Sequence, residues 1–267
     1  MKNIKIGFIG GGNMAFAIAN GLISTNNIDI SNITICEISQ SRRDFLVSKG
    51  FNVVESVDQL NNNDFVFLAV KPAYALDVLA QYSAGNNNTS AVISIVAGIT
   101  TTTLSKYTKH NLIRIMPNTP TLVGKGMFAI SDDYTATAEQ FETVKGLLAG
   151  IGEVCIVSSN LMDAATAVSG SGPAYVFMFI DAMIGAGVRL GLTRDQATTL
   201  TLQTVIGAAE MVATSDKSPS DLKDMVCSPA GTTIEAVYAL EKGGFNALIM
   251  EAIKKCEEKS RQLSGNN

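Results

Sequence analysis

The sequence has no tryptophan and only one histidine, His110, among its 267 residues. Its four cysteines, Cys36, Cys155, Cys227 and Cys256, are far apart and form no CxxC pair. Structural zinc sites draw on clustered Cys and His residues, so we expect no metal site. We interpret the cysteines as unlinked thiols. His110 precedes an apolar run and is interpreted as a surface turn residue rather than a catalyst.

Charge is also sparse, at 16% of residues with a net charge of −4, and no segment collects Lys and Arg into a stripe. We therefore expect neither a nucleic-acid nor a membrane partner, and a small metabolite is the favoured ligand. The first apolar run is too short for a signal peptide, and no later run reaches membrane-spanning length. These features predict a cytoplasmic protein.

The first part of the chain alternates short strands with helices. We predict strands at 4–9, 31–37, 64–70, 90–96 and 111–116, helices at 14–23 and 39–48, and an extension of the sheet by "GMFAIS" and "EVCIVS". Such alternation predicts right-handed βαβ units. The fold class is therefore α/β, with a Rossmann-type, doubly wound, mostly parallel sheet in an amino-terminal domain of residues 1–159.

After Ser159 the strand signal ends. The helical patterns lie at 172–190, 194–213, 219–226, 232–242 and 244–262, which predicts an all-helical domain of residues 160–267. Small residues such as Gly185, Gly187 and Gly207 lower helix propensity, and they allow backbones to approach closely. We predict an obligate homodimer through this domain, with intrachain packing as the alternative.

The first strand runs into "GGGNMA", which fits the G-x-G-x-x-G/A pattern before an apolar helix. In this pattern Gly10 permits the turn, Gly12 lets the backbone approach a pyrophosphate, and Ala15 lets the helix pack on the strand. The helix amino terminus then holds the anion. The motif predicts a dinucleotide site.

Two signals bear on which dinucleotide binds. Glu37, at the end of the second strand, is placed to accept hydrogen bonds from the ribose of NADH. Ser39, Ser41, Arg42 and Arg43 follow directly and could bind the 2′-phosphate of NADPH, unless both arginines are simply solvated. We favour NADPH, with NADH possible.

Lys71 and Pro72 directly follow the predicted strand at 64–70, at the edge where open α/β sheets bind ligands. Pro72 shapes the turn, and Lys71 could meet a phosphate or a substrate charge. Lys71 can also be interpreted as an ordinary loop cation.

"SGSGPAY" departs from the G-x-S-x-G elbow of serine hydrolases, because Ser169 and Pro173 stand where glycines are required. We interpret it as a helix start, with Ser171 or Gly172 as the cap and Pro173 in the first helical position.

The segment "SPAGTT", residues 228–233, interrupts helical sequence with a proline and a glycine before a new helix. Backbone N–H groups at a helix start, with the hydroxyls of Ser228, Thr232 and Thr233, would bind a small carboxylate. The alternative is simple N-capping by Thr232.

The chain resembles pyrroline-5-carboxylate reductase along its whole length. The resemblance rests on "FIGGGNMA", "AVKP", "RIMPNTP", "SGSGPAY" and, most specifically, "PSDLKDMVCSPAGTTIEAVYALEKGGF". It implies a Rossmann domain and a helical dimerisation domain that interlocks with its partner, with a higher assembly of dimers as an alternative to the dimer alone. Ala230 and Ser159 depart from the family pattern, which often has a glycine and an acidic residue there.

The resemblance also implies the site residues. Those for the substrate carboxylate and ring nitrogen are Ser228, Gly231, Thr232 and Thr233, with Thr233 at the nitrogen. Those for the cofactor are Ile9, Gly10, Gly11, Gly12, Asn13, Met14, Ala15, Ser39, Ser56, Ala69, Val70, Lys71, Pro72 and Ala97.

The implied reaction is reduction of 1-pyrroline-5-carboxylate to L-proline by hydride from NAD(P)H. Protonation makes the cyclic imine electrophilic, so the enzyme needs geometry more than a strong acid. The alternatives are a reductase of a related six-membered imine and a non-catalytic nucleotide-binding regulator.

Overall fold

A computed structural model describes residues 3–25, 28–85 and 90–264. Its eight-stranded sheet has the order β3-β2-β1-β4-β5-β6-β7-β8. The strands are β1 Ile6–Ile9, β2 Ile33–Cys36, β3 Asn52–Val54, β4 Phe65–Leu68, β5 Ala91–Ser94, β6 Asn111–Met116, β7 Gly126–Ser131 and β8 Gly152–Val157.

Eleven α-helices accompany the sheet in the described residues. They are α1 Asn13–Ser24, α2 Gln40–Ser48, α3 Pro72–Ala84, α4 Thr101–Leu104, α5 Ala138–Ala149, α6 Met162–Ala165, α7 Gly172–Arg189, α8 Arg194–Thr214, α9 Pro219–Val226, α10 Thr232–Lys242 and α11 Phe245–Ser264. Short 3₁₀ helices lie at Ile30–Asn32, Val57–Leu60, Thr119–Val123 and Ser159–Leu161, and a π-helical turn spans Thr166–Gly170.

The predicted fold class is confirmed. Strands β1, β4 and β5 are buried along their length, as expected for a sheet covered on both faces. All neighbouring strands pair in parallel except β6 and β7, which are antiparallel. Strand β3 was not predicted, because its three residues, one exposed and two half-buried, are too few for a recognisable alternation.

The described chain forms two compact units. One contains the residues up to Pro173 together with those from Lys254, and the other is Ala174–Ile253. The boundary at residues 159 and 160 stays a prediction. Each unit is described by itself below.

Many large apolar side chains of the helical unit are exposed. Helices α7, α9 and α10 contain no buried residue, and Phe177, Met178 and Ile206 are more than half exposed. A methyl group built on Gly185 or Gly207 would meet no described atom within 4 Å, whereas one on Gly187 would lie 2.9 Å from Ala197 Cβ. Gly187 therefore serves intrachain packing, and the other two glycines do not.

One helix, Ser159–Arg189, is long and apolar enough to cross a membrane by length and composition alone. Asp163 and Asp181 interrupt this helix, so it contains no uninterrupted apolar run of that length. The sequence predicted that the helix begins at 172. The π-helical turn at Thr166–Gly170 follows α6 directly, and only Ser171 separates it from α7. Gly172 is therefore the first residue of α7 and Pro173 the second.

The interpretation of His110 as a surface turn residue is wrong, because the side chain is only 3% exposed. Its ring stacks on Tyr82 with centroids 5.0 Å apart, and Nδ1 lies 3.1 Å from Ser90 Oγ. Burial lowers the pKa of the imidazole below its usual value, against a weaker opposing effect of the Ser90 carbonyl. His110 directly precedes β6, and it is buried because Tyr82 and Ser90 pack against its ring.

Candidate functional site

The ends of four parallel strands come together at the carboxyl edge of the sheet. The N–H of Gly10 donates to the carbonyl of Cys36 at 2.8 Å, and the N–H of Ala69 donates to the carbonyl of Ile9 at 2.9 Å. Strands β1, β2 and β4 therefore end at the same height in the sheet. Ile95 follows β5, and its N–H donates to the carbonyl of Leu68 at 3.1 Å, so β5 ends beside β4. The strand order reverses between β1 and β4, which is where open α/β sheets bind ligands.

Gly10 turns the chain from β1 into the loop before α1. Its φ of +96° lies in a region that residues with a Cβ rarely adopt. A Cβ there would also lie 2.8 Å from the carbonyl oxygen of Ala69. Both the turn and the close approach of β4 therefore require glycine at this position.

Gly12 leaves the start of α1 open. It is the N-cap residue, and it has no side chain with which to cap the N–H groups of Asn13, Met14 and Ala15. A Cβ on Gly12 would meet no described atom within 4 Å, so no described side chain fills the space beside this loop. The donors and the space fit the pyrophosphate of a dinucleotide.

The carboxylate of Glu37 bonds to the backbone of its own protein. One oxygen accepts from Gly11 N at 2.9 Å and the other from Ser39 N at 2.8 Å. Arg42 completes this bracing, because its Nε donates to the carbonyl of Gly11 at 2.6 Å and its guanidinium lies over the Phe45 ring. Glu37 and Arg42 thus hold the glycine loop against α2.

Arg43 is bound in a similar way. It donates to the carbonyl of Ile38 at 2.8 Å and forms a 3.2 Å ion pair with Glu55. Ser39, in contrast, is exposed at the start of α2, with Oγ 3.3 Å from Ser41 Oγ. The two hydroxyls are therefore better placed than either guanidinium to receive a 2′-phosphate.

The remaining predicted cofactor residues lie at the same edge. Ser56 follows β3 and caps a 3₁₀ helix, and its hydroxyl donates to Asp58 at 3.2 Å. Lys71 is the exposed N-cap of α3, with Pro72 as the first helical residue. Ala97 follows β5 and packs beside Met116.

Asn118, in "RIMPNTP", has a structural role that was not predicted from the sequence. Its side chain is 7% exposed, its Nδ2 donates to the carbonyl of Ser169 at 3.1 Å, and its Oδ1 accepts from Met127 N at 2.9 Å. It joins the π-helical turn to β7. The signal was an amide between two proline residues directly after a buried strand.

In the helical unit, residues 228–231 form a tight turn between α9 and α10. The N–H of Gly231 donates to the carbonyl of Ser228 at 3.0 Å, with Pro229 and Ala230 between them. Proline in the second position and a positive φ in the third are typical of a type II turn. Ala230 has φ +55°, and no other non-glycine residue in the described chain has a positive φ.

Helix α10 begins at Thr232 without a side-chain cap. Gly231 is the N-cap residue, so the alternative in which Thr232 caps the helix is wrong. The first N–H groups of α10 have no intrahelical partner, and they point away from the helix start beside the hydroxyls of Thr232 and Thr233. This arrangement can bind a carboxylate and add hydroxyl groups for a neighbouring polar atom.

Two family models match the chain. The model described as "Pyrroline-5-carboxylate reductase dimerisation" matches residues 159–263. The model described as "NADP oxidoreductase coenzyme F420-dependent" matches residues 5–98.

In the described residues, no group of three or more His, Cys, Asp or Glu side chains could hold a metal ion.

Relatives match along almost the whole chain. The pyrroline-5-carboxylate reductase of Escherichia coli K12 is 42% identical, over 97% of this chain and 98% of its own, and that of Arabidopsis thaliana is 37% identical, over 98% and 96%. A crystal structure of the Plasmodium falciparum pyrroline carboxylate reductase with NADP bound is 34% identical, with a TM-score of 0.92 over 99% of both chains. The chain belongs to the pyrroline-5-carboxylate reductase family.

Proposed function

We propose that this protein reduces 1-pyrroline-5-carboxylate to L-proline, the last step of proline biosynthesis. The observation that carries the proposal is the uncapped start of α10, where a type II turn brings Ser228, Thr232 and Thr233 around backbone N–H groups. Such a site suits a small substrate with one carboxylate. The family resemblance along the chain supports the same reaction.

We assign the substrate carboxylate to the N–H groups at the start of α10 and to the Ser228 hydroxyl. The helix dipole favours a negative charge at this position. Thr233 is half-buried and is assigned to the ring nitrogen. A hydroxyl is a weak general acid, so Thr233 orients the protonated imine rather than supplying its proton. Orientation is sufficient because an iminium carbon is already electrophilic.

The cofactor is assigned to the loop of residues 9–15, with NADPH preferred. When bound, it supplies the hydride. Asn13, Met14 and Ala15 offer the N–H groups for its pyrophosphate, and Ser39 and Ser41 offer hydroxyls for its 2′-phosphate. Glu37 is held by Gly11 and Ser39, which supports a bracing role for this carboxylate over a ribose contact.

We further propose a homodimer through the helical region, a cytoplasmic location and a small-molecule substrate without a nucleic-acid or membrane partner. The exposed apolar side chains of α7 and α8 support the dimer, because they lie in the segment that matches the dimerisation model. The sparse positive charge supports the absence of a nucleic-acid partner.

The test is Thr233→Ala beside Thr232→Ala, with NADPH oxidation followed on addition of the five-membered imino acid. We expect Thr233→Ala to lower kcat/KM by about tenfold to a hundredfold, from one lost hydrogen bond, with KM for NADPH unchanged. Thr232→Ala should have a smaller effect. Wild-type kinetics for Thr233→Ala would refute its role, and faster turnover of the six-membered imine would reassign the substrate.

A further inference from the structure

Strand β8 forms a long edge of the sheet in the described chain. It has six residues, Gly152–Val157, whereas β3 at the opposite edge has three. An open edge is a template for pairing with another chain, and proteins blunt it with short strands, lysine or proline. β8 has no lysine or proline, and Glu153 is its one charged residue. It lacks the protection expected of an edge that stays in water.

The backbone groups that face the open edge follow from the pairing with β7. The carbonyls of Ile151 and Val157 accept from Gly126 N and Asp132 N. Because successive residues of a strand direct their N–H and C=O groups to opposite sides, the odd-numbered residues of β8 face β7. Gly152, Val154 and Ile156 therefore direct theirs outward.

The side chains beside this edge are also suited to burial. Ile156 is 51% exposed, and Cys155, on the other face of the strand, is exposed. Val154 already packs against the core between the sheet and its helices. An apolar β-branched side chain next to open backbone groups is typical of an interface between strands.

A second copy of this chain is the occupant that the chain itself indicates. β8 ends at Val157, and the segment that matches the dimerisation model begins two residues later. The edge is thus continuous in sequence with the region that joins two protomers. In a dimer with two-fold symmetry the same patch meets itself, and a strand that pairs with its own copy runs antiparallel.

We propose that the β8 strands of two protomers pair antiparallel, with the two-fold axis at Val154, and join the two sheets into one. Val154 is the middle of the three outward-facing residues, so this register uses all of them and forms about six interchain hydrogen bonds. Gly152 then lies opposite the partner's Ile156. The inference rests on the proposed homodimer.

This register places residue 153 directly opposite the partner's Cys155 on one face of the joined sheet. Cβ atoms in such a pair lie about 4.5–5.5 Å apart, close to the separation that a disulfide spans, whereas diagonal neighbours are about 7–8 Å apart. Cys155 and the partner's Cys155 are diagonal neighbours. A cysteine introduced at position 153 could therefore form a disulfide with the partner's Cys155, whereas the two native Cys155 residues are too far apart to do so.

The first experiment is Glu153→Cys in the full-length protein, with mild oxidation and non-reducing electrophoresis. We expect most of the protein to become a covalent dimer that thiol reductant reverses. The matched control, Glu153→Cys with Cys155→Ala, should stay uncrosslinked, as should the wild type. No crosslinking of the single variant in a protein that sediments as a dimer would overturn the pairing. A disulfide in the wild type would overturn the register at Val154.

The second experiment is Val154→Pro beside Val154→Ala. The N–H of Val154 faces outward, so proline should spare the β7 ladder while removing the central donors of both protomers. We expect Val154→Pro to raise the dimer dissociation constant at least tenfold by analytical ultracentrifugation, and Val154→Ala to change it less than threefold. Equal dissociation constants would refute the pairing.

NADPH oxidation with the imino acid, measured on the same samples, separates this inference from the proposed function. An active dimer that fails to crosslink refutes the strand pairing alone. A crosslinked dimer that does not reduce the imine refutes the proposed reaction and leaves the pairing in place.

Discussion

Replacing Ala230 by glycine should stabilise the turn that precedes α10. Ala230 holds φ +55°, and the left-handed region costs a residue with a Cβ about 1–2 kcal/mol relative to glycine. Glycine gives back part of this gain, about 0.4–1 kcal/mol, because its unfolded chain is freer. The net expectation for Ala230→Gly is about 0.5–1 kcal/mol of added stability.

The assay is thermal unfolding at a fixed protein concentration, because the stability of a dimer depends on concentration. For a chain of this size, this gain corresponds to a rise in Tm of roughly 1–4 °C. We expect kcat/KM for the imino acid to stay within about threefold of the wild type, because the turn keeps its conformation. A lower Tm would refute the assignment of strain to Ala230.

The neighbouring variant Gly231→Ala is the matched control. A Cβ on Gly231 would overlap the Ser228 hydroxyl and lie 3.1 Å from the Ser228 carbonyl oxygen. The turn must open to accept it. We expect KM for the imino acid to rise by about tenfold or more, with KM for NADPH unchanged. An unchanged KM for the imino acid would show that this turn does not bind the substrate.

Three further outcomes follow from the sheet unit. Gly12→Ala should leave Tm within about 1 °C, because its Cβ meets no described atom within 4 Å. We expect KM for NADPH to rise about tenfold or more, and unchanged cofactor kinetics would contradict a pyrophosphate site. Glu37→Gln should raise KM for NADPH and KM for NADH by the same few-fold factor, because it weakens the hydrogen bonds that hold the glycine loop. A rise confined to KM for NADH would instead indicate a ribose contact. Burial holds the pKa of His110 below its usual value of 6.5, so the folded protein keeps this side chain neutral. The free energy of unfolding should therefore decrease as the pH falls below about 6.5, by up to ~1.4 kcal/mol per pH unit, because the unfolded chain binds the proton more readily. Denaturant unfolding of His110→Asn between pH 7 and pH 5 should show a flatter pH dependence than the wild type, and parallel curves would refute the role of the histidine.

Burial also suppresses the reactivity of Cys36. It raises the pKa of the Cys36 thiol to about 11, with a smaller contribution from Glu37. We expect a maleimide reagent at pH 7.5 to modify Cys36 at least tenfold more slowly in the folded protein than in the denatured protein, as measured by mass spectrometry of peptides. Comparable rates would refute the burial of Cys36 in solution.

The sequence alone determined the fold class, the positions along the chain of seven of the eight described strands, and the helical second half. Those features follow from local periodicity and from glycine at places where the backbone needs it, as at Gly10. The sequence also predicted both candidate sites, because "GGGNMA" and "SPAGTT" each mark the start of a helix, where the first N–H groups have no intrahelical partner.

Only the tertiary structure decided what the polar side chains do. Glu37 and Arg42 are close in sequence to the ribose position, but each also bonds to Gly11 in the glycine loop, 26 and 31 residues away. His110 was judged exposed because no local pattern reveals that Tyr82 and Ser90 cover it. Hydrogen bonds and burial at such separations depend on how the elements pack, and local sequence does not encode that packing in any single segment.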